Sequence, residues 1–377
     1  MSILIVSHYG DVHAEAVRWG LKAVGVAADI WMPSDVPSFG EVAVAIDKQG
    51  FDFTGSGLTR PIRDYQLAWL RKPGRFSPDI RRTPGENRYV EYESRQMLHG
   101  VLYALEETLP VTNRFSREIV SANKIKQLII AQKVGLQIPM SVVGNRGSDI
   151  SAAFLGKRPA YKSFRVPIWR GSDLVTERGA KPQATVGATS RIADEFLDRP
   201  DVIQSCPGIF QEYVAKSHEL RILWLEGRCT VARIDSQSSA EAKEDWRLDQ
   251  KNLNFQPDTI PDDVAQRLGK LMIALGLEGG SIDMIVTPEG QHIFLEVNPS
   301  GQFLWLDRLD NRFHTLGEAV SYLAAKAGYA RQPKDVPPYS DFERSSDFVS
   351  YKKALEATRF AMHTDYSYAD EQPIAAE

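Results

Sequence analysis

Two short runs decide the fold, Ser281-Ile-Asp-Met-Ile-Val286 and Phe294-Leu-Glu-Val-Asn-Pro299. They predict two neighbouring strands of one hairpin, and alternate residues of a strand share a face. Glu296 and Asn298 should therefore lie together, with Asp283 beside them. Two carboxylates and an amide oxygen in an apolar hairpin are costly without a cation. Such hard oxygen ligands suit Mg²⁺ shared with nucleotide phosphates, while a solvent-facing hairpin carrying two acids is the alternative.

A second motif lies upstream, where Phe210-Gln-Glu-Tyr-Val214 is followed by Lys216 and then by Glu219-Leu-Arg221. Glu219 and Arg221 share one face of a predicted strand. A short linker that presents backbone groups and then a carboxylate could hold an adenine edge and a ribose hydroxyl. Arg221 is permanently charged and suits a phosphate. The alternative is a Glu–Arg ladder on the surface of a sheet.

Two lysines and a further arginine form the third signal. Lys124 begins a predicted helix, and Lys162 lies within a predicted strand over 160–164. A lysine in an apolar strand needs a partner, which nucleotide phosphates would supply. For Lys124 the alternative is an ordinary solvated helix residue. Asp245-Trp-Arg247 adds a possible anion-binding arginine, although that tripeptide alone is typical of an exposed loop.

Composition limits the class of protein without naming it. The chain has 377 residues, enough for two to three domains, and 45 Lys+Arg against 49 Asp+Glu give a net charge of −4, with no global reason to bind nucleic acid or an anionic membrane. No apolar run approaches the ~20 residues of a membrane span. The N-terminus is interpreted as a first strand and not as a signal peptide. Cys206 and Cys229 do not make a disulfide framework, so a cytoplasmic protein is expected.

Periodicity indicates a small α/β domain with a parallel sheet at the N-terminus, followed by mixed α and β segments. The predicted strands are 3–6, 27–31, 65–71, 140–143, 160–164, 209–214, 219–225, 228–235, 281–286 and 291–297. The predicted helices are 12–24, 88–107, 121–134, 262–275 and 316–327. The segment 165–190 is open between a hairpin and a flexible loop, and the stretch after Arg331 is Pro-rich, then polar and acidic.

Several familiar sites are absent from the sequence. There is no Walker loop, no G-x-G-x-x-G, no H-E-x-x-H and no G-x-S-x-G elbow. His8, Asp11 and His13 cluster near the N-terminus, and their position after a first strand favours loop residues over a metal site. The three positive signals therefore carry the functional interpretation.

The order of these signals resembles that of the ATP-grasp superfamily of carboxylate–amine and carboxylate–alcohol ligases. A closer resemblance, covering most of the chain, is to the microviridin-type (graspetide) ligases, which macrocyclise ribosomal precursor peptides. Four segments carry it: Trp69-Leu-Arg-Lys-Pro73, Ala122-Asn-Lys-Ile-Lys-Gln-Leu128, Asp245-Trp-Arg247, and Phe294-Leu-Glu-Val-Asn-Pro-Ser-Gly-Gln302. The resemblance implies an ATP-grasp fold of α/β class, preceded by an N-terminal α/β domain.

The resemblance also implies ATP and Mg²⁺ as cofactors and a role for each motif residue. Those expected to bind ATP are Lys124 and Lys162 at the phosphates, Glu212, Tyr213 and Val214 around adenine, and Glu219 with Lys216 at the ribose. Arg221 and Arg247 would stabilise the transferring phosphoryl group. Asp283, Glu296 and Asn298 would hold Mg²⁺. One departure is that Lys162 is not followed directly by a glycine-rich loop, and Gly171 is the nearest candidate for that lid.

The implied partner is a precursor peptide with a leader and a core. The candidate peptide-binding element is the 165–190 segment, with Arg165, Arg170, Asp173, Glu177, Arg178 and Lys181, for which a surface loop is the alternative. The expected domains are 1–115, 116–205 and 206–330, followed by a tail over 331–377. A homodimer is left open. Rival functions are a glutathione-synthetase-like ligase, acting on small molecules or adding an amino acid to a protein, and an inactive nucleotide-binding regulator.

Overall fold

The N-terminal sheet has four parallel strands. The computed structural model describes residues 2–48, 50–74, 82–164, 168–169, 185–186, 190–191 and 199–356. Within these, the sheet order is Ala27–Trp31, Ser2–Val6, Leu67–Leu70 and Val111–Thr112. One of its two inner strands, Ser2–Val6, is completely buried, which explains the uninterrupted apolar run at the N-terminus. An antiparallel hairpin, Val42–Asp47 with Gly50–Gly55, is an addition that the sequence patterns did not indicate.

A second sheet, here called the lobe sheet, is antiparallel and carries Lys162. Its order is Ser190–Arg191, Ala160–Lys162, Gly208–Gln211 and Ser141–Gly144. A short antiparallel pair, Ile168–Trp169 with Thr185–Val186, lies in the segment that was left open between hairpin and loop.

The five-stranded central sheet is also antiparallel and contains the deciding hairpin. Its order is Phe255–Asp258, Arg228–Ile234, His218–Leu225, Gly279–Val286 and His292–Asn298. The apolar face of this sheet packs on the helix Asp262–Leu275 through a core that includes Ile222, Leu271 and Phe294. The opposite face carries the polar side chains of Glu219 and Arg221 as well as apolar ones such as Leu223, which packs in the core of the N-terminal sheet.

The described residues contain eleven α-helices, five of which correspond to the helices predicted from periodicity. They are Val12–Ala23, Pro84–Thr108, Phe115–Ser121, Lys124–Lys133, Gly147–Ala153, Pro200–Gln204, Asp262–Leu275, Leu304–Leu309, Thr315–Lys326, Tyr339–Arg344 and Ser346–Glu356. The predicted helix 121–134 is divided, because Asn123 caps a new helix by accepting from the Lys126 N–H at 3.0 Å. Among the described residues, none of the helices has both the length and the apolar character to cross a membrane.

Two α-helices, Tyr339–Arg344 and Ser346–Glu356, lie in the described part of the segment after Arg331. The helix Tyr339–Arg344 packs on Val12–Ala23, and Tyr339 and Phe342 belong to the same apolar core as Ile3. This C-terminal segment therefore extends the apolar core around the helix Val12–Ala23, although its composition gave no sign of it.

Phe342→Ala is expected to destabilise the protein by about 3–5 kcal/mol, because it empties a fully buried aromatic site. Thermal or urea unfolding of the full chain measures the effect. Val349→Ala, at a side chain that is 49% exposed, is the matched control and should change stability little. Equal unfolding curves for Phe342→Ala and the unchanged protein would contradict the observed packing.

Candidate active site

A β-bulge in the strand His292–Asn298 places the two acids of the hairpin, Asp283 and Glu296, opposite each other. Asp283 pairs with Glu296 across the ladder, but Met284 pairs with Phe294, so Leu295 is extra. Phe294 and Val297, three residues apart, consequently both reach the core. Glu296 then faces away from Phe294, although strict alternation would place them on one face. The bulge therefore brings the carboxylates of Asp283 and Glu296 together on the polar face of the central sheet.

Asp283 is held between two arginines. Arg221 Nη1 lies 2.7 Å from Asp283 Oδ1, and Arg247 Nη2 lies 3.1 Å from Asp283 Oδ2. Arg221 and Asp283 are directly opposite on neighbouring strands, so the sheet itself sets this contact. Burial raises the pKa of Asp283, but the two guanidinium groups outweigh it and hold that pKa below its usual range. Asp283 is thus a carboxylate at neutral pH.

Glu296 lies near two lysines that come from outside the central sheet. Lys124 Nζ lies 3.0 Å from Glu296 Oε2 and also donates to the Ser163 carbonyl at 3.4 Å. Burial raises the pKa of Glu296, yet Lys124 and Lys162 bring it below its ordinary value. Burial lowers the pKa of Lys162, and the Glu296 carboxylate counteracts that effect. The lobe sheet and the helix Lys124–Lys133 therefore deliver two cations to the acids of the central sheet.

Arg247 is fixed more firmly than its tripeptide suggested. Its Nη1 atom lies 3.2 Å from Asp245 Oδ1, and its guanidinium carbon lies 4.9 Å from the centre of the Trp246 ring. Trp246 stacks on Trp305 at 5.1 Å between ring centres. Asp245 and Trp246 are each only 5% exposed, so the interpretation as an exposed loop is wrong for these two residues, whereas the Arg247 side chain is 49% exposed. The positioning role of Asp245 was missed, and its place two residues before Arg247 is the only sequence signal for it.

The predicted hinge connects the lobe sheet to the central sheet. The strand Gly208–Gln211 ends before Glu212, so residues 212–214 lie in the connection and not in the predicted strand. Glu212 N donates to the Met140 carbonyl at 2.8 Å, while Tyr213 and Val214 are half-buried.

The predicted ribose residues follow the hinge. Lys216 Nζ lies 2.8 Å from Glu219 Oε1 and donates to the Glu244 carbonyl at 3.3 Å. Burial raises the pKa of Glu219, and the Lys216 ammonium opposes this. Glu219 lies on the strand His218–Leu225, which also carries Arg221 two residues further on, and Lys216 reaches it from the connection before that strand.

The third proposed metal ligand ends the hairpin. Asn298 is exposed, and its Oδ1 accepts from the Ser300 N–H at 3.1 Å, which starts a turn. The same turn leads to Gln302, whose carbonyl accepts from Arg221 Nη2 at 3.3 Å. Asn298 therefore lies two residues beyond Glu296 on the same strand, opposite Ser281. The predicted peptide-binding residues Arg165, Arg170, Asp173, Glu177, Arg178 and Lys181 lie outside the described residues.

The chemistry of these side chains fits a magnesium nucleotide. Lys124, Lys162, Arg221 and Arg247 outnumber the two carboxylates they surround, which favours an added polyanion. Arg221 Nε is buried and lacks a hydrogen-bond partner among the described residues, so a donor remains available. No three acidic, His or Cys side chains come together in the described part of the chain. Mg²⁺ would thus take part of its oxygen ligands from phosphates and water.

A buried polar junction joins the N-terminal sheet to the turn after Asn298. Asp11 caps the helix Val12–Ala23, and its carboxylate lies 3.5 Å from both Arg71 Nε and His13 Nδ1. Arg71 donates to the Ser300 carbonyl. The expectation that Asp11 and His13 are loop residues is wrong for His13, which lies in the helix and is only 5% exposed.

We expect the folding stability of the protein to decrease in acid because of His13 in this junction. Burial and the nearby Arg71 lower the pKa of His13 to about 4, whereas an unfolded histidine titrates near 6.5. The unfolded state therefore binds more protons between these values, and folding stability falls as pH decreases from about 6.5 to 4. The full effect of this one group is on the order of 3 kcal/mol. Denaturation of the unchanged protein and of His13→Gln across this range measures it. Parallel curves for the two would contradict it.

Comparison with known proteins places these features in a known fold. No protein-family model and no curated protein sequence matches the chain. Among solved structures, a RiPP-associated ATP-grasp ligase of Chryseobacterium gregarium in complex with ADP and a leader and core peptide has a TM-score of 0.77 and 24% identity, over 88% of this chain and 98% of that one. Macrocyclase MdnC of Microcystis aeruginosa bound with precursor peptide MdnA has a TM-score of 0.72 and 26% identity, over 86% and 99%.

A third similar structure contains Mg as well as ADP. The ATP-grasp ligase PsnB, complexed with a phosphomimetic variant of a minimal precursor, Mg and ADP, has a TM-score of 0.66 and 20% identity, over 87% of this chain and 99% of that one. The chain therefore has the ATP-grasp fold, and the predicted fold class and resemblance to peptide-modifying ATP-grasp ligases are confirmed.

Proposed function

We propose that this chain is an ATP- and Mg²⁺-dependent ligase that forms ω-ester or ω-amide crosslinks within a ribosomal precursor peptide. The observation that carries the proposal is the convergence of Lys124, Lys162, Arg221 and Arg247 on the paired carboxylates Asp283 and Glu296. The similar solved structures hold ADP, Mg and peptide substrates, which supports the same ligands here.

The proposed reaction has two steps. A side-chain carboxylate of the peptide attacks the γ-phosphorus of ATP, giving an acyl phosphate and ADP. A hydroxyl or amine of the same peptide then attacks the acyl carbon, and phosphate leaves as the attacking group loses its proton. Each ring therefore removes one water from the mass of the peptide. Catalysis of this kind depends on positioning and on charge neutralisation, and no protein nucleophile is required.

The site residues divide this work. Asp283, Glu296 and Asn298 would hold Mg²⁺, which neutralises phosphate charge when bound. Lys124 and Lys162 would bind phosphates, while Glu212, Tyr213 and Val214 enclose adenine and Glu219 with Lys216 holds the ribose. Arg221 and Arg247 are proposed as the catalytic pair, because both already carry carboxylate contacts and are directed at the same place.

The segment 165–190 is proposed to bind the leader peptide through Arg165, Arg170, Asp173 and Arg178. Docking of a leader away from the reacting groups would let one enzyme process a variable core. A cytoplasmic location and a homodimer belong to the same proposal, and light scattering of the purified chain measures the assembly state.

The deciding experiment combines phosphate release with intact mass. The purified chain is incubated with ATP, Mg²⁺ and a candidate precursor peptide whose core carries Glu or Asp and Ser, Thr or Lys, and the same peptide with its Glu and Asp replaced by Ala is the control. The expected result is phosphate release with loss of one water per ring from the first peptide only. ATP turnover with an unchanged peptide mass would favour the small-molecule ligase, and absence of turnover with bound nucleotide would favour the regulator.

A further inference from the structure

One peptide unit connects the helix Val12–Ala23 to the proposed active site. The N–H of Phe303 donates to His13 Nε2 at 3.0 Å, while the carbonyl of Gln302 accepts from Arg221 Nη2 at 3.3 Å. These two groups belong to the same peptide bond. Because a trans peptide is planar and rigid, fixing the direction of its N–H also fixes the direction of its C=O.

We propose that His13 is a positioning residue for Arg221, acting through the Gln302–Phe303 peptide, in the site to which the proposed function assigns phosphoryl transfer. His13 also accepts from the Leu304 N–H at 3.3 Å. Two donors meet one ring nitrogen, so Nε2 must be unprotonated and the imidazole neutral. The neighbouring Asp11 carboxylate lies 3.5 Å from the other ring nitrogen, Nδ1, where the proton remains.

Further contacts hold this peptide unit against rotation. The His13 ring meets the Phe303 ring edge-on at 4.7 Å, and Trp305 Nε1 donates to the Gln302 carbonyl at 3.2 Å. Gly301 precedes the unit, and a Cβ there would lie 2.4 Å from Ser281 and 3.2 Å from Arg221 Nη2. The turn is thus packed directly on the arginine, and a displaced turn would move the guanidinium.

Both the acceptor, His13, and the arginine that it is proposed to position, Arg221, are buried. His13 is 5% exposed and Arg221 is 8% exposed. Neither side chain can compensate for a misplaced carbonyl by recruiting bulk water. Without the acceptor, the Phe303 and Leu304 N–H groups would be buried without a partner, which favours rotation of the peptide away from Arg221.

The test compares His13→Leu with His13→Gln. Glutamine can place an amide oxygen near the former Nε2 and accept the same N–H groups, whereas leucine fills the volume without an acceptor. The readout is the affinity for Mg²⁺ with the non-hydrolysable analogue AMPPNP, measured by calorimetry at a temperature where all variants are folded. His13→Leu should bind about tenfold more weakly, an effect typical of residues behind a ligand contact, and His13→Gln should stay within about threefold.

Two controls separate positioning from loss of stability. Leu21→Ala empties a buried site on the same helix, so it should lower the melting temperature and leave AMPPNP affinity unchanged. In an Arg221→Gln background, His13→Leu should have no further effect, because the arginine that it positions is gone.

The proposal is overturned by any of four results: unchanged affinity of His13→Leu, equal loss in His13→Gln, equal loss in Leu21→Ala, or additive effects with Arg221→Gln. These measurements use no precursor peptide. Nucleotide binding with an unmodified peptide would therefore refute the macrocyclase function and leave this inference standing, while absence of nucleotide binding in the unchanged protein would refute both.

Discussion

Glu296→Gln is expected to reduce ATP-dependent turnover by about 10³-fold, a loss typical of removing a principal electrostatic group from an active site. The carboxylate lies 3.0 Å from Lys124, and it counterbalances Lys162 as well. Glutamine keeps the shape and removes the charge, so the proposed Mg²⁺ site loses one of its two anionic ligands. Phosphate release in the presence of peptide measures the loss.

A second readout for Glu296→Gln does not depend on turnover. Ligands that bind only the folded state raise the melting temperature, and Mg²⁺ with ADP should do so for the unchanged protein. That rise should shrink strongly in Glu296→Gln. Glu343→Gln, which removes a carboxylate paired with Arg308 at 2.6 Å on the surface, is the control and should retain it. Normal turnover in Glu296→Gln would refute the metal assignment.

Arg221→Gln is expected to reduce turnover by about 10³-fold or more, the range of arginines that stabilise phosphoryl transfer. Arg221 has only 8% of its surface exposed and donates both to Asp283 and to the Gln302 carbonyl. Its loss also leaves Asp283 with Arg247 as its remaining guanidinium partner, so stability should fall as well. Single-turnover phosphate release, measured well below the melting temperature of the variant, isolates the catalytic effect.

The control for this prediction is Arg228→Gln on the neighbouring strand. Arg228 lies 3.7 Å from Glu318 at the surface, so its removal should change turnover little. Arg221→Lys adds a further comparison, since a lysine keeps the charge but cannot reach both acceptors with a planar fork. Full activity in Arg221→Lys would show that charge alone is needed there and would contradict the proposed two-contact geometry.

The sequence predicted the regular elements well, for a simple reason. The buried strand at 2–6 and the amphipathic helices at 12–23 and 262–275 are determined by local apolar patterns, which the chain displays directly. The hairpin formed by the strands Gly279–Val286 and His292–Asn298 is also local, because a short turn joins its two strands. These are features for which neighbouring residues hold all the information.

The sequence did not reveal contacts between distant segments. His13 and Phe303 are 290 residues apart, Arg71 and Ser300 are 229 residues apart, and no local pattern relates the members of either pair. The helices after Arg331 were likewise missed. Their few buried residues, such as Tyr339 and Phe342, form no apolar pattern of their own, and they are buried only because they pack against the distant helix Val12–Ala23.

The sequence by itself determined the types and the order of the proposed site residues: two carboxylates, an asparagine, two lysines and two arginines in an order that resembles that of ATP-grasp ligases. Only the tertiary structure decided how they face one another. The bulge at Leu295 directs Glu296 away from Phe294, and the sheet register places Arg221 opposite Asp283. The type of each residue is given directly by the sequence. The direction of its side chain depends on strand register and on packing between segments that meet only when the protein folds.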